Sequence, residues 1–194
     1  MDFAKVKAAC EDRGYKVTCF ETKEEAADYV AGALKGEVIG IGGSVTVDQM
    51  GLFDRLTEKN TVWWHWRDRE SLKRYGTFTV FLSSVNAVAE TGELVNIDGT
   101  GNRISATLYG PRRVIFLVGK NKIAPDLPAA IERAKASAIP NAARLKRRTP
   151  CVQTGKCSDC RSPDRICNAM TIYWMKMMGF EEEEIVFINE DLGF

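Results

Sequence analysis

A single histidine, His65, stands among the 194 residues of this sequence. That scarcity removes most Ser-His and Cys-His nucleophilic chemistry, which needs a base beside the nucleophile. His65 lies in Thr61-Val-Trp-Trp-His-Trp66, where a histidine between tryptophans reads as a packed, hydrogen-bonded side chain and the tryptophans as core. No stretch approaches the roughly 20 apolar residues that a membrane-spanning helix needs. The opening Met1-Asp-Phe-Ala-Lys has no basic region followed by an apolar run, so a cytoplasmic protein without membrane insertion is expected. An excess of one charge is missing too: 27 Lys and Arg meet 26 Asp and Glu, a net +1. That balance argues against nucleic acid as a partner and leaves any charged ligand to be attracted locally. Neither a phosphate loop ending in Gly-Lys-Ser/Thr nor a Gly-x-Gly-x-x-Gly pattern occurs, which leaves a nucleotide cofactor undefined.

What is present suits one globular domain spanning 1–194, with 45% hydrophobic and 27% charged residues, enough to bury a full core. Phe3, Val6 and Cys10 recur at helical spacing up to Arg13, and Lys16-Val-Thr-Cys-Phe20 reads as a strand. Thr22 and Glu25 have the spacing of a capping box that opens a helix ending at Gly36. Strands are expected at Glu37 to Ile41, Phe78 to Val85, Glu93 to Asp98, Arg113 to Gly119 and Ile185 to Ile188. Helices are expected at Asp48 to Thr57, Arg103 to Tyr109, Pro125 to Ala143 and Thr171 to Met178. The run Glu181 to Glu184 reads as a solvated lead-in to the last strand, and Arg144 to Arg148 as a solvated helix end or, instead, as help in holding an anion near the cysteines. Helix and strand alternate, so the fold class is α/β, a mostly parallel sheet flanked by helices.

Polar residues gather in the connections. Gly42, Gly43, Ser44 and Thr46 fill a strand-to-helix turn, with Ser44 or Thr46 available as cap. Asn86 and Glu90 are expected close together near the end of a buried strand. In Asp98-Gly99-Thr-Gly101-Asn102-Arg103 the glycines permit close backbone approach. There Asn102 is the expected cap, and exposed amides beside Arg103 suggest an anion site.

Of six cysteines, Cys10 and Cys19 fall inside element patterns and read as buried free thiols. Cys151, Cys157, Cys160 and Cys167 crowd into a small cysteine-rich segment, 149–170, whose spacing fits tetrathiolate coordination of one metal. A redox dithiol at Cys157 and Cys160 and merely reduced cysteines are the alternatives. Spacing alone does not separate a structural zinc from an iron-sulfur cluster.

Several motifs together resemble the LUD domain family, the lactate-utilisation proteins. They include Asn86-Ala-Val, Glu90-x-Gly92, Leu94-Val-Asn-x-Asp98-Gly-x-Gly-Asn-Arg103, Tyr109-Gly-Pro111 and Val118-Gly-x-Asn-Lys122. Gly40-x-Gly-Gly-Ser44-Val-Thr46, Thr149-Pro-Cys151, Gly155-Lys-Cys157-x-x-Cys160 and Asn189-Glu-Asp-Leu-Gly-Phe194 extend the resemblance along nearly the whole chain. The resemblance implies a NagB/RpiA/CoA-transferase-like fold and an enzyme or enzyme subunit in oxidation of lactate or a similar 2-hydroxy acid. On that reading a small anionic substrate sits against Gly42 to Thr46 and Gly99 to Arg103. Glu90 is acid, base or nucleophile, and Lys120 and Lys122 hold negative charge. The four-cysteine centre, an iron-sulfur cluster slightly favoured over zinc, passes electrons to an iron-sulfur partner subunit. Thr91 departs from an acidic residue expected in the Glu-x-Gly turn. The rivals are a CoA-transferase- or sugar-phosphate-isomerase-like enzyme using Glu90, and a non-catalytic binding or assembly module with structural zinc.

Overall fold

Residues along the central strands are apolar on both sides, so the sheet they form must be covered twice. The computed structural model describes residues 1–194. Strands β1 (Lys16–Phe20), β2 (Val38–Ile41), β3 (Thr61–Trp64), β4 (Val80–Ser83), β7 (Arg113–Gly119) and β10 (Glu182–Ile188) make an all-parallel six-stranded sheet in the order β1-β10-β7-β4-β2-β3. Along β7, Val114, Phe116 and Val118 enter one core cluster with Val6 and Cys10 of α1 (Ala4–Asp12) and with Phe3 just before it, while Ile115 and Leu117 enter another. That second cluster lies under α2 (Lys23–Ala33), α3 (Val45–Gln49) and α4 (Leu52–Thr57). The capping box of Thr22 and Glu25 forms as expected. The helix expected at Asp48 to Thr57 is broken in two at Gly51, whose φ of 62° no ordinary helical residue adopts.

A smaller sheet grows from the carboxyl ends of two neighbouring strands. Chain leaving β4 enters β5 (Ala87–Ala89) and then β6 (Leu94–Asp98), and chain leaving β7 enters the two-residue β8 (Ile123–Ala124). With β9 (Ala169–Tyr173) these form the order β8-β5-β6-β9. Helix α6 (Leu127–Arg144) covers it through Ala130 and Ala134, beneath which Ala87, Ala89 and Val95 lie. Helix α5 (Asn102–Leu108) follows β6, and the short α7 (Pro150–Thr154) follows α6.

Two expectations are corrected. Thr171 to Met178 is not a helix: Ala169–Tyr173 is an antiparallel partner of β6, with Thr171 opposite Asn96. Its Thr-Ile-Tyr sequence favours a pleated surface, and Tyr173 bonds Thr107 across 2.6 Å. The acidic run is not a solvated lead-in either. Glu183 and Glu184 are buried within β10. Glu184 receives hydrogen bonds from Thr18 and Tyr29 at 2.7 Å each and pairs with Lys16 at 3.2 Å. Glu183 faces the other way and accepts from the Met177 amide at 2.6 Å, while its Oε1 has no partner.

Burial pushes the Glu183 carboxyl up to about 7 from 4.5. A folded-state value above the unfolded one makes the stability due to the protonated form complete below about 4.5 and lost as pH rises through about 7. Glu183→Gln keeps the acceptor for Met177 and removes the charge. Its unfolding free energy from denaturant titration should be flat over that window, and at pH 8 it should exceed wild type by on the order of 1–3 kcal/mol. A variant less stable than wild type at pH 8 would refute this account.

Candidate functional site

The mouth of the parallel sheet is where helices and loops leave room for a ligand. Here β2 delivers Gly42, Gly43 and Ser44, β4 delivers Ser84, and β7 delivers Lys122. Helix α6 crosses with Arg133, Ser137, Asn141 and Arg144, which recur at helical spacing between alanines. These elements enclose a cavity of about 60 Å³ lined by Ser44, Thr46, Ser84, Asn86, Lys122 and Ser137 among others. It shares Gly43, Trp66, Arg103, Asn141 and Arg144 with an adjoining polar cavity of about 400 Å³.

Lys122 is the chemical centre of the small cavity. Its side chain is 4% exposed, and Nζ donates to Thr46 Oγ1 at 2.8 Å and Ser84 Oγ at 2.7 Å. Both hydroxyls donate onward, Ser84 to the Leu117 carbonyl at 2.5 Å and Thr46 to the Leu192 carbonyl at 3.3 Å. No carboxylate pairs with Lys122; burial first, then the positive charges of Arg133 and Arg103, hold its amine well below the ordinary lysine range. Arg133 donates to the carbonyls of Asn121 (2.6 Å) and Asn86 and to the oxygen of Phe194, which lines the same cavity, at 3.4 Å. Gly193 closes the cavity from the far side, where a Cβ would lie 2.5 Å from Thr46 Oγ1.

The expected anion site at Gly99 to Arg103 is filled from within. Asp98 Oδ1 accepts from the amides of Thr100 (3.0 Å) and Gly101 (2.9 Å), and Oδ2 accepts from Ile104 at 3.4 Å. The carboxylate therefore takes the amides that a ligand would need. Gly101, at φ 85°, is the N-cap in place of Asn102, whose amide donates to Tyr75. Arg103 is saturated: its guanidinium reaches Ser84 O (3.3 Å), Asn96 Oδ1 (3.2 Å), Asn86 Oδ1 (3.1 Å), the Ile97 carbonyl and Asp98 (3.6 Å). Asn86 also takes the Ile97 amide and donates to Ser137 at 2.8 Å. Ser44 caps α3 as expected, accepting from Val47 at 3.3 Å.

Asn86 and Glu90 do not meet. They flank β5 at opposite ends, and Glu90 lies away from both cavities, paired with exposed Lys5 at 2.6 Å. Lys120 is half-buried and lines neither cavity. Gly42 and Gly43 are needed for close approach, since a Cβ on Gly42 would stand 3.1 Å from Arg103 and one on Gly43 3.3 Å from His65. His65 borders the larger cavity with an unpartnered Nδ1, its imidazole pushed down by burial.

The cysteine segment lies against the same loop. A Cβ at Gly99 would be 2.8 Å from the Ile166 carbonyl, and Asn168 donates to the carbonyls of Asp98 and Gly99, both at 3.0 Å. Arg165 ties the segment together through the Cys160 (2.6 Å) and Cys167 (2.9 Å) carbonyls. The cysteines are free thiols, and no three His, Cys, Asp or Glu side chains stand as a ligand set for a metal ion. Burial pushes the Cys167 thiol up, Arg165 draws it back, and Cys157 and Cys160 are near enough to add to the rise. Cys10 is buried, with its thiol pushed up to about 12, and Cys19 is half-buried. No helix is long and apolar enough to cross a membrane.

The family model for the LUD domain matches residues 3–188. A solved structure of a DUF162 family protein from Deinococcus radiodurans is 16% identical, covers 97% of this chain and 99% of its own, and superposes with a TM-score of 0.56. That likeness supports the α/β fold. A structure of eIF2B beta from Chaetomium thermophilum overlaps 65% of this chain and 44% of its own at 15% identity, with a TM-score of 0.35. No curated protein matches the chain in sequence.

Loss of the Arg103 fork leaves Asp98 without its cation and several buried oxygens without donors. Arg103→Met should therefore cost about 3–5 kcal/mol in denaturant unfolding, and Arg103→Lys, which cannot fork, should recover only part of it. An unchanged midpoint in Arg103→Met would remove the clamp assigned to this residue.

Proposed function

The chain belongs to the LUD domain family and is a lactate-utilisation-related protein, and we propose that its Lys122 cavity binds the carboxylate of a small 2-hydroxy or 2-oxo acid for oxidation or reduction. The observation that carries this reading is the buried Lys122 amine, held only by hydroxyls and facing Arg103 and Arg133 without a carboxylate of its own. Burying positive charge without a counter-charge is costly, and an anionic ligand supplies what is missing. Size narrows the class. A cavity of about 60 Å³, at roughly 10–15 Å³ per water, holds about four to six water-sized atoms, the scale of a three-carbon acid.

Within that cavity Asn86, Ser137 and Asn141 offer hydrogen bonds that orient the acid. Arg144, stacked 4.7 Å from the Trp66 ring centroid, adds charge where the small cavity opens into the larger one. Glu90 has no part in this reading because Lys5 holds it elsewhere. Cys151, Cys157, Cys160 and Cys167 are the metal ligands in the same proposal, with iron-sulfur preferred and an iron-sulfur partner subunit receiving electrons. Four thiols in one segment are the right donor chemistry. Their placement is not a ligand set, so no step is routed through them. The segment carries no helix or strand between Lys156 and Asn168, which leaves it free to fold around a metal.

Lactate and pyruvate should raise the unfolding temperature in proportion to the logarithm of their concentration. Lys122→Met should abolish the shift, and Arg144→Ala, at an exposed position, should weaken binding by about tenfold, about 1.4 kcal/mol. A shift by neither acid in the wild type overturns the carboxylate assignment. For the cysteines, iron, sulfide and zinc are measured on anaerobically purified protein. Metal content should fall in Cys160→Ser, and identical content in the variant would sink the four-thiolate assignment.

A further inference from the structure

We propose that Lys122 is a nucleophile that forms an imine with the carbonyl of a small 2-oxo acid, the oxidised member of the acid pair assigned to this cavity. The proposal rests on the carboxylate reading above and adds a covalent step to it. Geometry carries it. Lys122 Nζ has two hydrogen-bond acceptors, Thr46 Oγ1 at 2.8 Å and Ser84 Oγ at 2.7 Å. Neither hydroxyl can donate back, because each gives its proton to a main-chain carbonyl, of Leu192 and Leu117 respectively. Two acceptors satisfy the two hydrogens of a neutral amine and leave its lone pair over, whereas the third hydrogen of an ammonium would find no acceptor.

The remaining valence of Nζ belongs to the cavity that Lys122 lines. Arg103 and Arg133 nearby oppose a further positive charge, and burial acts in the same direction. Such desolvation beside cations is how an amine is made nucleophilic at neutral pH. In the step itself, the Nζ lone pair forms a bond to the carbonyl carbon of the acid, giving a carbinolamine. The two amine hydrogens leave with the carbonyl oxygen as water, and the resulting imine takes a proton from solvent. No oxidant or reductant is consumed. The acid's own carboxylate then lies beside the iminium and balances its charge.

The test incubates the full chain with pyruvate and sodium cyanoborohydride at neutral pH and maps adducts by peptide mass spectrometry. The reduced pyruvyl adduct is expected on Lys122, at more than about tenfold the level on any exposed lysine, since each unit of lowered pKa raises the neutral fraction roughly tenfold. It is expected to be absent in Lys122→Arg. Mapping the wild type keeps the test valid where the variant fails to fold. Thermal shift with lactate, which has no carbonyl, separates the two readings. If lactate and pyruvate both stabilise the protein while Lys122 stays unmodified, the imine is overturned and carboxylate binding stands. If neither acid stabilises it and no adduct forms, both fall. Adducts confined to exposed lysines also overturn the proposal.

Discussion

One guanidinium holds the two sheets in register. Where the chain leaves β4 for β5 it abandons the parallel ladder, and the carbonyls of Ser84 and Ile97 are left inside the protein without strand partners. Arg103 supplies donors to both, and to the side-chain oxygens of Asn86 and Asn96 besides. An unmade hydrogen bond at a buried carbonyl costs about 1–3 kcal/mol, so a single side chain that satisfies several is worth more than its own ion pair. The ion pair with Asp98 at 3.6 Å has a second effect. It fixes the carboxylate over the first amides of α5, so that helix, loop and small sheet share one charge network. Gly42 is part of the same constraint, for a Cβ there would press on the Arg103 stem.

The charge that Arg103 brings is neutralised on one side only. Asp98 lies toward α5, whereas Lys122 lies toward the cavity with Arg133 behind it, and no acidic side chain pairs with either of those two. A buried amine can meet such surroundings by losing its proton or by gaining an anion. Those outcomes suit two stages of one chemistry: a neutral amine before a ligand arrives and a charge-balanced pair once a carboxylate is present. The hydroxyls of Thr46 and Ser84 serve both stages, because they accept from the nitrogen in either state.

Much of the fold was legible because its signals are local. Alternating apolar strands and helical stripes, with the Thr22 and Glu25 box, require no knowledge of distant neighbours. Errors arose where a distant partner decided the outcome. Asn102 is a good cap by type, but Asp98 reaches the same amides first. Glu181 to Glu184 reads as solvent-facing until Lys16, Thr18 and Tyr29 are brought to Glu184 by the pairing of β1 with β10. Thr171 to Met178 reads as a helix until β6 offers Thr171, Ile172 and Tyr173 an edge. In the site, Ser44, Thr46, Asn86 and Lys122 were legible from turn chemistry and resemblance, and Ser84 was not. The stripe Arg133, Ser137, Asn141 was a missed signal, since polar residues at helical spacing among alanines mark a face that something polar must meet.

The cysteine segment has a direct mechanical route to this pocket. Its backbone runs so close to Gly99 that only a residue without a Cβ fits, and Asn168 extends the β6–β9 ladder by bonding the Asp98 carbonyl. Asp98 in turn holds Arg103, and Arg103 borders the Lys122 cavity. Arg165 lines both the larger polar cavity and a third cavity of about 420 Å³ that Cys157 and Cys167 border. Ile166 meets Gly99 through main-chain atoms, and Asn168 holds the Gly99 carbonyl through its side-chain amide. The cysteine segment and the cationic pocket are thus linked in space through Gly99, Asp98 and Arg103.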